Sequence, residues 1–371
     1  MRITHPWKPE YDKDSKLLIL GTFPSPKSRE MGFYYGHPQN AFWKSLAMSL
    51  GEPEPPYDVE ARRRFVHENH IALWDVFKSV NIDGAADASI RDEEPNTFRD
   101  IIKGSRINTI FTAGRTGTDA FNRLCCVEAG MRAVYLPSTS PANRRTQATP
   151  EYEQRWALPG KLLRGELVSS AGMKELDRRT IEVKGVPSIV LMERAAIACV
   201  NALKTEKPGK TLCVCGAGNN GGDGFAVAWL LKLEGIESEI LFIGDRSNMT
   251  RETKHQARLA EKYGVPISEN DVSVISKSNI IVDALFGIGL ARELAGIYLD
   301  TVKAINSARK AGAYVLSADI PSGISADTGE VLGGAVTADK TVTFAFNKIG
   351  LTIGKGPECS GKVMVEDIGI Y

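Results

Sequence analysis

The chain lacks any long apolar segment. Nowhere in its 371 residues do 18 apolar residues follow one another, and a membrane-spanning helix needs at least that many. Residues 1–10 also lack the basic start and apolar middle of a secretion signal. We therefore expect no membrane partner and a cytoplasmic location.

The chain also has little net charge and few cysteines. Its 46 Lys and Arg residues are balanced by 45 Asp and Glu residues, which argues against a strongly basic nucleic-acid coat. The six cysteines fit the spacing of neither a zinc knuckle nor a four-cysteine iron–sulfur set. We expect no iron–sulfur cluster, and we expect most cysteines to be reduced residues of the core.

The composition is that of an ordinary globular protein. At 371 residues the chain is longer than a single hydrophobic core usually supports, which predicts two domains. Apolar runs alternate with helix-like stretches, which predicts an α/β fold with parallel sheets. The polar segment 149–165 predicts a boundary between domains 1–164 and 165–371. We expect a small parallel-sheet domain followed by a Rossmann-like, doubly wound, three-layer domain that opens with one long helical region, 173–202.

Two segments of the front half follow apolar runs that read as strands. They are GTFPSPKSREMGFYYGHPQNAFW, from Gly21 to Trp43, and LPSTSPANR, from Leu136 to Arg144. Ligands bind at the carboxyl ends of strands in open α/β sheets, and aromatic side chains there can stack on a base. Taken singly, the same residues also fit a packed core, a helix cap and an ordinary turn.

Together the two segments resemble the uracil-DNA glycosylase superfamily, most closely its hypoxanthine-DNA glycosylase branch. The resemblance implies a domain that binds DNA with deaminated bases, flips the damaged base out and hydrolyses its N-glycosidic bond. It assigns the base and DNA contacts to Gly21, Phe23, Tyr35, Ser138, Ser140, Pro141, Ala142 and Asn143.

The first of these segments departs from many superfamily members. They carry Asp or Asn directly after the first strand, whereas here the turn is Thr22-Phe23-Pro24. Asn40 is the replacement that the resembling branch implies as the catalytic residue. A neutral amide can only orient water, so the leaving base must depart easily, as deaminated bases do. A non-catalytic sensor of damaged DNA remains the alternative.

Basic and histidine residues of the front half receive plainer interpretations. Arg62 to Arg64 are predicted to form a solvated helix face, with a phosphate contact as the alternative. His67 and His70 lie three residues apart on a predicted helix, without a third metal ligand nearby.

The rear half contains GAGNNGGDG, from Gly216 to Gly224, directly after an apolar run. It fits a dinucleotide fingerprint only weakly, because the charge of Asp223 would repel a pyrophosphate on the same turn. Three further blocks begin in or just after predicted strands, so they should gather at one sheet edge. They are DALFGIGLARE from Asp283, SADIPSG from Ser317 and TVTFAFNKIGL from Thr341.

With LMERAA at Leu191 and EDIGI at Glu366, these blocks resemble the NAD(P)H-hydrate epimerase family. The resemblance implies that the domain equilibrates the R and S forms of NADHX and NADPHX, in which the nicotinamide ring has gained water at C6. A separate NAD(P)HX dehydratase would use one epimer.

The resemblance also assigns site residues. It implies that Asp319 acts on the damaged ring, and that a potassium ion is held by Asn220, Asp283 and Ser322. Lys348 is a weaker assignment, to phosphate. The remaining contacts to the hydrate fall to Asn219, Asn220, Gly221, Gly222, Asp223, Gly287, Ile288, Gly289, Leu290, Ala291, Arg292 and Glu293.

Other interpretations of the rear half remain open. It could be a non-catalytic nucleotide-binding scaffold or an RNA-associated interaction domain with idle acids. A dehydrogenase formed by the whole chain is disfavoured, since His255 is the only histidine behind the boundary. The oligomeric state is open, with a homodimer among the alternatives.

Overall fold

The structure is a computed structural model that describes residues 2–82, 89–206 and 209–371. The chain forms two compact units, Met1–Gly172 and Met173–Tyr371. Within the described ranges, no helix combines the length and the apolar character needed to pass through a bilayer. The functional boundary at residue 164 stays a prediction.

The front unit is built on a four-stranded parallel sheet in the order β3-β2-β6-β7, with a separate antiparallel sheet, β1-β4-β5. Its strands are β1 (Arg2–Thr4), β2 (Leu17–Gly21), β3 (Ile71–Asp75), β4 (Phe77–Asn81), β5 (Arg91–Pro95), β6 (Thr109–Ala113), β7 (Ala133–Leu136) and β8 (Leu167–Val168). Its helices are α1 (Pro26–Met31), α2 (Phe42–Leu50), α3 (Val59–Glu68), α4 (Arg99–Lys103), α5 (Arg115–Leu124), α6 (Cys126–Ala129), α7 (Arg144–Gln147), α8 (Pro150–Trp156) and α9 (Leu158–Leu163).

The rear unit is built on a seven-stranded sheet, parallel throughout, in the order β11-β10-β9-β12-β13-β14-β16. Its strands are β9 (Thr211–Cys215), β10 (Ser238–Phe242), β11 (Ile267–Glu269), β12 (Ile280–Ala284), β13 (Tyr314–Ala318), β14 (Lys340–Phe344), β15 (Asn347–Lys348) and β16 (Lys362–Glu366). Its helices are α10 (Ser170–Glu182), α11 (Ser188–Glu206), α12 (Asn219–Leu233), α13 (Arg251–Lys262), α14 (Gly296–Lys310), α15 (Ile349–Thr352) and α16 (Gly356–Ser360).

These two sheets confirm the predicted α/β class with parallel strands in both halves. In the rear sheet the strand order reverses between β9 and β12. A crevice opens outside the carboxyl ends of the strands at such a reversal, and it is the usual ligand site of a doubly wound sheet. The topology therefore predicts a ligand site at the carboxyl ends of β9, β12 and β13.

The glycine-rich start of α12 is required by close packing against the sheet. A Cβ atom added at Gly221 would lie 1.8 Å from the carbonyl oxygen of Gly216, and one at Gly224 would lie 2.5 Å from the Cβ of Ala284. Only glycine permits this approach of helix to strand. The helix is consequently held with its first turn directly above the strand ends.

Two sequence expectations are corrected by the fold. The predicted long helical region is two helices, α10 and α11, because Gly185 adopts a φ of +74° and Pro187 follows it. Arg62 is not solvated, since only 3% of it is exposed. Its guanidinium lies 4.8 Å from the Trp43 ring centroid and 4.6 Å from that of Tyr57, a cation–π arrangement.

Candidate functional sites

The rear unit contains a pocket of about 520 Å³ lined by α10, α11, the start of α12 and the loops that follow β12 and β13. The predicted site residues that line it are Asn219, Asn220, Asp223, Gly287, Ile288, Gly289, Leu290 and Asp319. Gly221 and Gly222 are buried within α12, whereas Ala291, Arg292 and Glu293 are exposed beyond the pocket wall. The structure thus brings three sequence blocks to one cavity.

Asp319 is held in the pocket by a buried ion pair. The Nζ atom of Lys348 lies 2.5 Å from Asp319 Oδ1, and its other two contacts are Thr343 Oγ1 at 2.9 Å and the Phe344 carbonyl oxygen at 2.8 Å. An ammonium has three donors, so this arrangement leaves Lys348 none for the phosphate assigned to it. The cation instead compensates the carboxylate of Asp319.

The backbone of Asp319 is also unusual. Its φ is +66°, a left-handed conformation that non-glycine residues adopt at some energetic cost. A hydrogen bond of 2.7 Å from its amide to the Val342 carbonyl oxygen fixes this geometry at the end of β13. Such strain concentrates at functional sites, where the surrounding structure determines the side-chain position.

Two further carboxyl groups interact electrostatically with this ion pair. Burial, and next the charge of Asp319, raise the pKa of Asp177 to about 6, while Lys348 acts in the opposite direction. The same two causes hold the pKa of Asp223 well above its ordinary value. The pocket therefore combines one buried ammonium, that of Lys348, with three carboxyl groups, and charging all three together is energetically unfavourable.

Asp283, Ser322 and Asn220 meet beside the loop that follows β12. The Asp283 carboxylate is fully buried and accepts hydrogen bonds from Ser322 Oγ at 2.5 Å and from the Ser322 amide at 2.8 Å. Its pKa is raised by burial, against the effect of these hydrogen bonds. Both polar side-chain atoms of Asn220 are buried without a partner in the described structure.

In the front unit, the ends of β2 and β3 place a buried acid next to Gly21. Gly21 pairs in register with Asp75, and a Cβ added at Gly21 would lie 2.2 Å from Asp75 Oδ1. Asp75 Oδ2 lies 2.8 Å from His5 Nε2, and both side chains are almost completely buried. The glycine is thus required for the carboxylate to occupy the sheet edge.

The aromatic residues assigned to base stacking occupy different surroundings. Tyr35 has its hydroxyl 3.4 Å from the Cβ position of Gly21, and its ring stacks on Phe42 with centroids 3.6 Å apart. Phe23 is only 8% exposed and packs within the hydrophobic core. Tyr35 therefore lies at the sheet edge with one ring face covered, and Phe23 presents little surface.

Asn40 and the second segment are joined by the backbone. Asn40 Oδ1 accepts a hydrogen bond from the Phe42 amide at 3.0 Å, which holds the turn into α2. The next residue, Ala41, donates its amide to the Thr139 carbonyl oxygen at 3.0 Å. The amide oxygen of Asn40 thus stabilises the turn, and the hydrogen bond from Ala41 to Thr139 holds the first segment against the second.

The second segment is an exposed loop held by its own hydrogen bonds. Ser138 Oγ accepts from Asn143 Nδ2 at 3.0 Å and from the Ser140 amide at 3.3 Å. A short 3-10 turn over Pro141–Asn143 follows, and Asn143 is exposed. The loop presents backbone amides and hydroxyls of the kind that contact phosphate.

Sequence reasoning missed three residues of these sites. Asp177 lies on one face of α10 with Met173 and Ile181, each four residues away. A carboxyl group between two apolar residues on a helix face could have been recognised in the sequence as a candidate buried acid. Asp75 ends a strand beside the first segment. His5 carried no signal, because only the tertiary structure brings the N-terminal arm to the sheet edge.

The fold and pocket of the rear unit define a class, that of ligand-binding, doubly wound α/β domains. Comparison with known proteins identifies the family within this class. Residues 188–350 match the family model described as YjeF-related protein N-terminus. The chain is 44% identical to the NAD(P)H-hydrate epimerase of Levilactobacillus brevis over 206 residues, 55% of this chain and 94% of that one. It is 43% identical to the NAD(P)H-hydrate epimerase of Limosilactobacillus reuteri over 210 residues, which cover 56% of this chain and 97% of that one. The chain belongs to the NAD(P)H-hydrate epimerase family.

The front unit belongs to a second family. Residues 8–158 match the model of the uracil DNA glycosylase superfamily, so the chain carries a domain of that superfamily as well. A candidate uracil DNA glycosylase of Methanosarcina acetivorans, solved by NMR in solution, is 31% identical, with coverage of 44% of this chain and 99% of that one and a TM-score of 0.39. The two predicted resemblances are thereby confirmed.

Proposed function

We propose that the rear domain is an NAD(P)H-hydrate epimerase that acts on NADHX and NADPHX. Family membership supports this substrate, and the buried Asp319–Lys348 pair in the pocket is the observation that carries the chemistry. A carboxyl group held in a fixed position inside a pocket can accept a proton from a ligand bound within hydrogen-bond distance.

The substrate orientation follows from the two ends of the pocket. The first turn of α12, at Asn219 and Asn220, offers free backbone amides to phosphate, and the loop Gly287–Leu290 would cover the ribose. The hydrated ring then reaches Asp319. The C6 centre is a hemiaminal, whose inversion requires removal of the hydroxyl proton as the C6–N1 bond opens, followed by reclosure on the other face.

The residues assigned to potassium fit such an ion. Asp283 is a fully buried carboxylate, and the side-chain oxygen of Asn220 is buried without a partner in the described structure. Oxygen donors of this kind suit a hard cation. Bound by Asn220, Asp283 and Ser322, potassium would supply positive charge next to the substrate phosphates. We expect slower epimerisation when tetramethylammonium replaces potassium in the buffer.

The epimerase proposal is tested by following R-NADHX in the presence of an added dehydratase that consumes only the S form. The full-length protein should accelerate R consumption well above the spontaneous rate, and Asp319→Asn should lose about 10³-fold in kcat because the proton acceptor is gone. A rate with wild-type protein no higher than without it would reject the activity and favour a non-catalytic nucleotide-binding scaffold.

For the front domain we propose excision of hypoxanthine or uracil from DNA. The backbone contact between Ala41 and Thr139 supports this proposal, because it joins the turn that contains Asn40 to a loop whose amides and hydroxyls are suited to phosphate. With a neutral amide as the only assigned catalytic group, reaction would depend on a base that leaves easily.

Oligonucleotides that contain deoxyinosine or deoxyuridine test the glycosylase proposal. Full-length protein should create alkali-labile abasic sites, and Asn40→Ala should reduce their formation about 10²-fold. Asn69→Ala, a change at the C-terminal end of α3, is the matched control and should cut normally. Binding without cleavage by the wild-type protein would instead indicate a damaged-DNA sensor.

The proposal divides the chain into functional domains 1–164 and 165–371. A separate dehydratase would complete the repair of the hydrate, because neither domain resembles one. Both proposed activities act on chemically damaged nucleotides, one on DNA and one on the nicotinamide cofactor.

A further inference from the structure

Asp177 is an acid of the rear pocket that the proposed mechanism does not yet use. It lines the cavity together with Asp319 and Lys348. In the part of the chain that the structure describes, its carboxyl group forms no hydrogen bond or ion pair. An acid left unpaired in a pocket is available to a ligand.

Inversion of a hemiaminal carbon involves two proton positions. When the C6–N1 bond breaks, the C6 hydroxyl loses its proton and becomes an aldehyde oxygen, and the electron pair of the broken bond stays on N1, which must gain a proton. One base at the hydroxyl and one acid at N1 therefore balance the step. Rotation about C5–C6 and the reverse transfers then close the ring on the opposite face.

We propose that Asp177 is a second catalytic residue of the epimerase, the acid that protonates N1 while Asp319 accepts the proton of the C6 hydroxyl. The inference rests on the proposed function. It stands on the placement of the two carboxyl groups on different elements of one cavity, Asp177 on α10 and Asp319 at the end of β13.

The charges around the two acids fit opposite roles. The Lys348 ammonium donates directly to Asp319 Oδ1, so it fixes the position of that carboxyl group. Asp177 is instead partly desolvated and faces the charge of Asp319, which raises its pKa to about 6. A carboxyl group with a pKa nearer neutrality is the better acid for a proton transfer at physiological pH.

Asp223 and Lys174 are the other titratable groups of the cavity. Asp223 is buried at the start of α12, and burial and the charges of Asp319 and Asp177 hold its pKa well above its ordinary value. Lys174 is exposed.

The test compares full-length Asp177→Asn with wild type in the coupled R-NADHX assay, with spontaneous epimerisation subtracted at each pH. We expect kcat to fall about 10²-fold with KM changed less than about twofold. The wild-type kcat/KM should decline as pH rises above about 6, as Asp177 loses its proton, and the variant should lack that decline. Asp177→Glu should recover part of the rate.

Glu175→Gln is the matched control, because Glu175 is an exposed acid on the same helix, paired with Arg178. It should keep the wild-type rate. The inference is overturned if Asp177→Asn keeps the wild-type kcat, or if it raises KM alone and leaves the pH profile unchanged. Absence of activity in the wild-type protein would overturn the proposed function, whereas these results concern Asp177 alone.

Discussion

The two candidate sites lie at the same kind of place, the carboxyl edge of a parallel sheet, but they differ in how their polar groups are satisfied. At the front edge Asp75 pairs with His5, Asn40 holds its own turn, and Ser138 is bonded within its loop. In the rear pocket the Asn220 side chain has no partner among the described residues, and Asp177 has a raised pKa.

This difference separates two ways of preparing a site. The rear pocket contains closely spaced carboxyl groups and a residue, Asp319, in a strained backbone conformation. A bound ligand or cation can offset the repulsion between these groups, and carboxyl groups with shifted pKa values are suited to proton transfer. The polar groups of the front edge are already hydrogen-bonded to one another, so this edge would hold and orient the DNA, with the departing base performing more of the chemistry. Three substitutions test this contrast.

The largest expected effect is that of Lys348→Met. The substitution leaves Asp319 buried without its cation, near Asp177 and Asp223, and breaking a buried pair in this way costs about 3 kcal/mol in free energy of unfolding. Urea unfolding of the full-length protein measures it on the transition of the rear unit.

Lys355→Met is the control for that substitution, because Lys355 and its partner Glu358 are both exposed and such pairs contribute less than about 1 kcal/mol. Equal stability of the two variants would contradict a strained rear pocket.

A smaller effect is expected from Gly21→Ala in the front unit. The added methyl group would lie 2.2 Å from Asp75 Oδ1, so Asp75 must move away from His5, at a cost of about 2 kcal/mol typical of overpacking. Gly117→Ala is the control, since its nearest contact is Thr22 Oγ1 at 3.3 Å. Loss of stability in Gly21→Ala should appear in the front transition only. No difference from the control would show that the front edge is less tightly arranged than the structure indicates.

The smallest effect is expected from Asp177→Asn on stability. The pKa of Asp177 is raised to about 6 from the ordinary 3.8, so wild-type protein should lose stability as pH rises between those values and keep that deficit above them. Discounted for partial exposure, the variant should be more stable than wild type by about 1 kcal/mol at pH 8 and equal to it below pH 4. A variant that is less stable at pH 8 would show that Asp177 has a structural role.

Much of the architecture was readable from the sequence because parallel strands carry continuous apolar runs. The strands at Leu17, Thr211, Ile280 and Tyr314 were predicted in this way, and the blocks after them indicated both families. The predicted helical region 173–202 contains two helices, and the break between them was not predicted, although Gly185 and Pro187 are visible signals. Arg62 was misassigned because a run of arginines says nothing about which of them an aromatic pair will enclose.

The sequence by itself determined the two parallel α/β sheets, the two families and the strand ends at which the sites lie, since hydrophobic periodicity and glycine spacing are local properties. Only the tertiary structure decided which charges meet. It turned Lys348 towards Asp319 rather than towards a phosphate, brought His5 to Asp75, and placed Asp177 in the rear pocket. Charge compensation depends on distance and burial, and both are fixed only when segments far apart in the chain pack together.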